Sequence, residues 1–145
     1  MTVHTLDTEN KESVKEIINL LVKEGLLQGA NLTDANLKGA DLRRANLTDA
    51  NLKDAGLYRA NLRGAELRRA DLSCADLSCA DLSCAFLSSA NLIGAKLGGA
   101  SLKDTKLYGA RLTSASLTSA DLTSLNLYGA KITPKQLAEI IIVDE

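Results

Sequence analysis

From residue 25 to residue 132 the chain returns to an apolar residue at every fifth position. Leucine stands at Leu27, Leu32, Leu37 and each fifth residue to Leu127, followed by Ile132. Two residues before each comes alanine, from Ala30 to Ala130, with Gly25, Thr105 and Leu125 as the exceptions. Residues two apart on an extended backbone point the same way, so each Ala and Leu share a face. A straight strand cannot continue the pattern, because five is odd and the next pair would emerge on the opposite face. A helix cannot either, since five residues advance it by about 140° and scatter the leucines around it. The chain must turn once per unit, winding Leu and Ala inward and the variable positions outward. That is a solenoid in which each coil packs on its neighbours, with Leu42, Leu62, Leu72, Leu77, Leu82, Leu102 and Leu122 expected in its core.

Before the repeat, Val14, Ile17, Ile18 and Leu21 recur at helical spacing between Glu9 and Glu24. Thr8 or Asn10 suits the start of this amphipathic helix, and Gly25 suits a left-handed residue after its end. Its apolar face, with Leu20 beside it, is expected to cover the first coil. After the repeat, Thr133-Pro134 reads as the start of a short helix whose Leu137, Ile140 and Ile141 cover the other end. Such lids are needed because an open coil end exposes unpaired backbone and core. Ile142 and Val143 exceed what a lid needs, so the C-terminal segment is a place for weak end-to-end dimerisation; otherwise the chain is a monomer. Leu125, wider than the usual Ala, is expected to meet this lid. The organisation is thus a tail over 1–8, a capping helix over 9–24, the repeat over 25–132, and a second cap with its tail over 133–145.

The unit A-(N/D)-L-x-x, seen in the run ADLSCADLSCADLSC from Ala70, closely resembles the pentapeptide-repeat family. The resemblance implies an all-β solenoid, a right-handed quadrilateral β-helix with four units per coil. Twenty-two units would then make about five and a half coils, and at ~4.8 Å per rung the stack is ~25 Å tall. Duplications in the sequence leave the coil length open, as ANLTDANLK recurs after fifteen residues from Ala30 to Ala45 and LYGA after twenty from Leu107 to Leu127.

Composition agrees with a narrow bore. Hydrophobic residues make up 46% of the 145 positions, yet the aromatics are only three Tyr and one Phe. Net charge is −1, which favours neither nucleic-acid binding nor a dense acidic surface. Charge is uneven, however: residues 26–70 carry eight Lys or Arg against five Asp or Glu. The N-terminus is acidic and no run approaches the ~20 apolar residues of a membrane span, so a cytoplasmic location is expected.

Several residues invite chemistry. Cys74, Cys79 and Cys84 are five apart with no histidine near, which fits neither metal-ligand spacing nor, on three sides of one coil, a disulfide. Asp71, Asp76 and Asp81 are spread in the same way and form no carboxylate pair. His4 is the only histidine. No catalytic, metal or cofactor site is expected. The surface candidates are the cluster Arg43, Arg44, Arg59, Arg63, Arg68 and Arg69, in which a twenty-residue coil would stack Arg43 on Arg63 and begin the adjoining side with Arg68 and Arg69, then Phe86, outward and exposed where Asn or Asp is usual, and Tyr108 above or below Tyr128. Function is therefore expected to be non-enzymatic, a structural or interaction module for a protein partner. Some family members mimic duplex DNA and bind or protect DNA gyrase; near-neutral charge and a short rod stand against that alternative.

Overall fold

The computed structural model describes residues 11–141, with side chains for residues 16–136 and Ala138. The expected tail, the caps Thr8 and Asn10, and Ile142 and Val143 lie outside the described residues, as do the side chains of Val14, Leu137, Ile140 and Ile141.

The repeat turns once per unit, as its odd period demands. Parallel bridges join Asn31 to Asn51, Asn36 to Gly56, Asp41 to Asn61 and Asn46 to Glu66, and continue to Arg111 with Lys131. Every bridge spans twenty residues, so four units close one coil and the fifteen-residue duplication does not set the winding. Four ladders result, here numbered as sides one to four from Asn31, Asn36, Asp41 and Asn46. One residue per unit is bridged, so the ladders are rows of single bridges instead of long strands.

Backbone hydrogen bonds made by four N–H groups fix each unit of the inner coils. Asp71 N–H donates back to Ala50 O at 2.9 Å, and Leu72 N–H donates forward to Asn91 O at 2.8 Å. Ala75 N–H then donates to Leu72 O at 3.1 Å and closes the turn. The residue before that alanine has a positive φ, between 56° and 69°, in every unit from Gly29 to Gly129. A positive φ at the third turn position alone is the type II pattern. Glycine fills seven of these positions, while Asp, Ser, Arg and Cys fill the others. The left-handed region costs an ordinary residue about 1–2 kcal/mol. From Gly29 to Gly109 the same residue's N–H also joins the ladder, as Cys79 N–H does with Gly98 O at 2.9 Å, which offsets that cost.

The bore is the core. Leu42, Leu62, Leu72, Leu77, Leu82 and Leu102 are fully enclosed, as are most of the alanines. Each buried Leu contributes roughly 1.5–3 kcal/mol of transfer free energy. Leu122 departs from expectation: it is half-buried, as are Leu125, Leu127 and Ile132, because fewer coils lie beyond them. Thr105 occupies an alanine position at 0% exposure, and its hydroxyl donates to Leu82 O at 2.8 Å. The intruding polar group is thereby satisfied.

Helix α1 runs Lys11–Lys23 and α2 runs Pro134–Ile141. After α1, Leu26 N–H donates to Leu21 O and Gly25 N–H to Val22 O, with Gly25 at φ 66°. These two bonds are a Schellman closure, which glycine adopts without strain. Ile18 and Leu21 of α1 join the buried cluster with Leu27, and Val22 packs against it. Ile17 and Leu20, expected to cover the coil as well, are instead 37% and 55% exposed. The chain presents a narrower apolar stripe to the coil because the bore it meets is only one Leu and one Ala wide per side.

At the other end, Thr133 and Gln136 form a capping box. Gln136 N–H donates to Thr133 Oγ1 at 3.3 Å, and Thr133 N–H donates to Gln136 Oε1 at 2.8 Å. The Gln136 amide then donates from Nε2 to Leu112 O at 2.6 Å and Ala115 O at 2.8 Å. Along the solenoid each alanine carbonyl is taken by the N–H twenty-one residues later, as Ala110 O is by Lys131. Ala115 O is likewise taken by residue 136, but by its side chain. The Gln136 side chain thus meets the Ala115 carbonyl where a backbone N–H does so in earlier coils.

Candidate interaction surfaces

The repeat's own polar residues are largely used up locally. The Asp or Asn at each bridge accepts the N–H two residues on, as Asp71 does from Ser73 at 2.9 Å and Asp76 from Ser78 at 3.1 Å. These Asx turns explain the residue preference at that position. Hydrogen bonds from Ser78 and Thr123 hold the Asp76 and Asp121 carboxyls below the usual carboxylate range. Partial burial opposes this at Asp71, where bonds from Ser73 and Asn91 and the field of Lys53 still bring the carboxyl down. Asp71, Asp76 and Asp81 belong to three different ladders, as their spacing predicts.

The arginine cluster divides into two places. On side three, Arg43 chelates Asp41 through Nε at 2.8 Å and a terminal nitrogen at 2.6 Å. That bond holds Asp41 below its ordinary range. Arg44 sits at φ 57°, with its stem lying over Gly64. An open trough of about 790 Å³ separates this side from α1. Arg43, Arg44 and Arg63 line it from the coils, Asn19, Val22 and Lys23 from the helix, and Cys84 from the next coil. Lys23 was missed in the sequence because nothing in a helical pattern says which side of a coil its last turn will meet.

Side four holds Arg68, Arg69, Phe86, Tyr108 and Tyr128. Arg69 chelates Asp49 from the coil before, at 2.7 and 2.6 Å, and holds its carboxyl low. Arg68 donates to Glu66 at 2.6 Å while its guanidinium lies 4.8 Å from the centre of the Phe86 ring. Phe86 is therefore half-buried, contrary to the exposed position expected of it, because the arginine one coil away folds over it. Tyr108 and Tyr128 stack with centroids 5.5 Å apart and planes within 11°. They remain 55% and 75% exposed. Tyr58 lies elsewhere, on side two, flanked by Lys38 and Arg59 at 5.2 and 5.1 Å.

Cys74, Cys79 and Cys84 are exposed free thiols on three different sides. Among the described residues no group of His, Cys, Asp and Glu is arranged to hold a metal ion, and no helix is long and apolar enough to cross a membrane.

A structure of this geometry has known counterparts. It resembles Rfr23, a pentapeptide repeat protein from the cyanobacterium Cyanothece 51142, at 32% identity and a TM-score of 0.67, over 73% of this chain and 86% of that one. It also resembles HetL, a pentapeptide repeat protein involved in heterocyst differentiation regulation from Nostoc sp. strain PCC 7120, at 34% identity and a TM-score of 0.57. That likeness covers 72% of this chain but only 58% of HetL. No curated protein matches the chain. The family model described as pentapeptide repeats matches in eight copies, over overlapping segments from residues 26–64 to residues 95–133. With the twenty-residue ladders, this settles the family: the chain belongs to the pentapeptide repeat proteins.

Proposed function

We propose that the protein is a non-enzymatic interaction module, a right-handed quadrilateral β-helix of about five and a half coils, capped at both ends by α1 and α2, that presents side four to a protein partner. The observation that carries this reading is the alignment of Arg68 over Phe86 and of Tyr108 on Tyr128 along one side. Arginine and tyrosine are the residues on which interface energy concentrates. Here they stand on a backbone whose rungs are fixed about 4.8 Å apart, so little ordering entropy is lost on contact. The hydroxyls that meet a carboxylate, as Thr123 Oγ1 meets Asp121 at 2.6 Å, are spent in the turns of the repeat. The exposed unpaired thiols fit a reducing compartment such as the cytoplasm. Mimicry of DNA toward gyrase draws no support, since the arginines of sides three and four break any continuous acidic surface.

The test is a quantitative pull-down from native lysate with wild type, the double variant Tyr108→Ser and Tyr128→Ser, and Arg111→Glu on side one. A protein captured by wild type and by Arg111→Glu but lost with the tyrosines supports the reading. Identical capture by all three contradicts it.

A further inference from the structure

We propose that the trough between α1 and side three is a second docking site, one that takes a short acidic segment of a protein. It shares no residue with side four and stands independently of the reading given for that side. The case is electrostatic first. Lys23, Arg43, Arg44 and Arg63 line the trough against a single carboxylate, Asp41, which leaves an excess of three positive charges in a chain whose net charge is −1. Of these four cations only Arg43 has an ion-pair partner among the described residues; Lys23, Arg44 and Arg63 have none. The charges stand on opposite walls, Lys23 on the helix and the arginines on the coils. An anionic chain lying between them relieves the repulsion from both sides.

The shape and reach of the positive region choose the ligand. An open volume of about 790 Å³ accommodates a few residues of extended chain with carboxylates toward each wall. Val22 gives the trough one apolar contact and Asn19 an amide that can meet a peptide backbone. A long polyanion fits less well. Beyond the trough, side three carries Asp81, Asp104 and Asp121 against Lys103 alone, so a nucleic-acid strand following that side would leave favourable charge within one coil. No aromatic lines the trough to stack a base.

The proposal is tested by fluorescence anisotropy with a fluorescein-labelled hexaglutamate peptide at about 50 mM salt, where surface attraction is only partly screened. Wild type binds, and the double variant Arg44→Gly and Arg63→Glu weakens binding by about tenfold or more. Both residues are exposed and glycine suits the φ of residue 44, so the variant folds, as an unchanged melting temperature verifies. Asp41→Asn keeps the oxygen that accepts the Arg43 backbone N–H and Nε–H but removes the carboxylate charge and the second bond to the guanidinium, and tightens binding by roughly threefold. Lys96→Glu, on side two, changes neither. The proposal is overturned by absent binding at millimolar peptide, by Lys96→Glu weakening binding as much as the trough variant, or by no response to Asp41→Asn. It is equally overturned if inorganic phosphate or a DNA duplex, at matched charge concentration, displaces the peptide more effectively than unlabelled hexaglutamate does.

Discussion

The Gln136 amide donates to two carbonyls of the last coils, and its replacement gives the most quantitative check on what that contact contributes. In Gln136→Ala, Leu112 O keeps its bond from Ala115 N–H at 2.9 Å, so the stranded group is Ala115 O. A buried acceptor left without a partner costs about 1–3 kcal/mol. Loss of the capping box with Thr133 adds about 1 kcal/mol. The expected penalty is therefore ~2–4 kcal/mol, carried by the last coil and α2 because coils communicate only with neighbours. Native-state hydrogen exchange reads it locally. Amides of the final coil, such as those of Leu112 and Ala115, should exchange at least about 30-fold faster, since each 1.4 kcal/mol is a factor of ten. Those around Leu72 and Leu77 should not change. Gln136→Glu should be worse than alanine, because its carboxylate would face two carbonyl oxygens at the positions where the amide now donates. The reasoning is refuted if Gln136→Ala leaves exchange in the last coil within twofold of wild type, or if Gln136→Glu is as stable as the parent.

Leu77→Lys places a cation in a bore where residue 77 has no exposure, at a cost beyond about 4 kcal/mol. The variant should lose its cooperative circular dichroism melt, and an unchanged melting temperature would contradict the inward assignment. Gly39, at φ 65° with open space where a Cβ would stand, isolates the cost of the left-handed turn. Gly39→Val should lose about 1–2 kcal/mol in urea unfolding and Gly39→Asn distinctly less; equal losses would remove the conformational explanation. Asp41, Asp49, Asp76 and Asp121 all have carboxyls held below their ordinary range by hydrogen bonds from Arg43, Arg69, Ser78 and Thr123. Depressed carboxyls stabilise the fold above their unfolded value near ~3.9 and lose that contribution as pH falls through the folded one. Thermal melts should thus be level from pH 8 to about pH 5 and fall below about pH 4; a melting temperature that rises on acidification would contradict this.

Much of the fold was legible because the central position of the unit repeats without a polar exception, Leu27 to Ile132. Leucine every fifth residue with alanine two before it dictates a turn per unit, and Gly25 and Thr133 mark where the helices stop and start. The number of units per coil was not readable from near-identical units, whose internal duplications point to both fifteen and twenty; only the ladder distinguishes them. The left-handed turn corner was also hidden, since Arg44, Arg59 and the three cysteines share it with glycine. Its trace in the sequence was the enrichment of Gly, Asp and Ser at the unit's last position. Contacts between helix and coil lay further out of reach. Ile17 and Leu20 share the helical spacing of Ile18 and Leu21, yet only the latter pair meets the narrow bore. The division of the arginines between two adjoining sides follows from a twenty-residue coil, but their partners do not, and Lys23 completes the trough from outside the repeat. Gln136 belongs to no repeat register, although its spacing of three from Thr133 carried the capping-box signature.

The central claim is that residues twenty apart are neighbours and residues five apart are not. The protein's own thiols offer a direct test, because Cys79 Sγ lies 3.5 Å from the position a Cβ on residue 99 would take. Gly99 has φ 65°, a conformation that Cys79 itself adopts at φ 57°. In Gly99→Cys, mild oxidation followed by peptide mapping should give one intramolecular disulfide, between residues 79 and 99, and none joining Cys74, Cys79 and Cys84 to one another. Linkage among the three native cysteines at comparable yield, with none to residue 99, would contradict the twenty-residue coil.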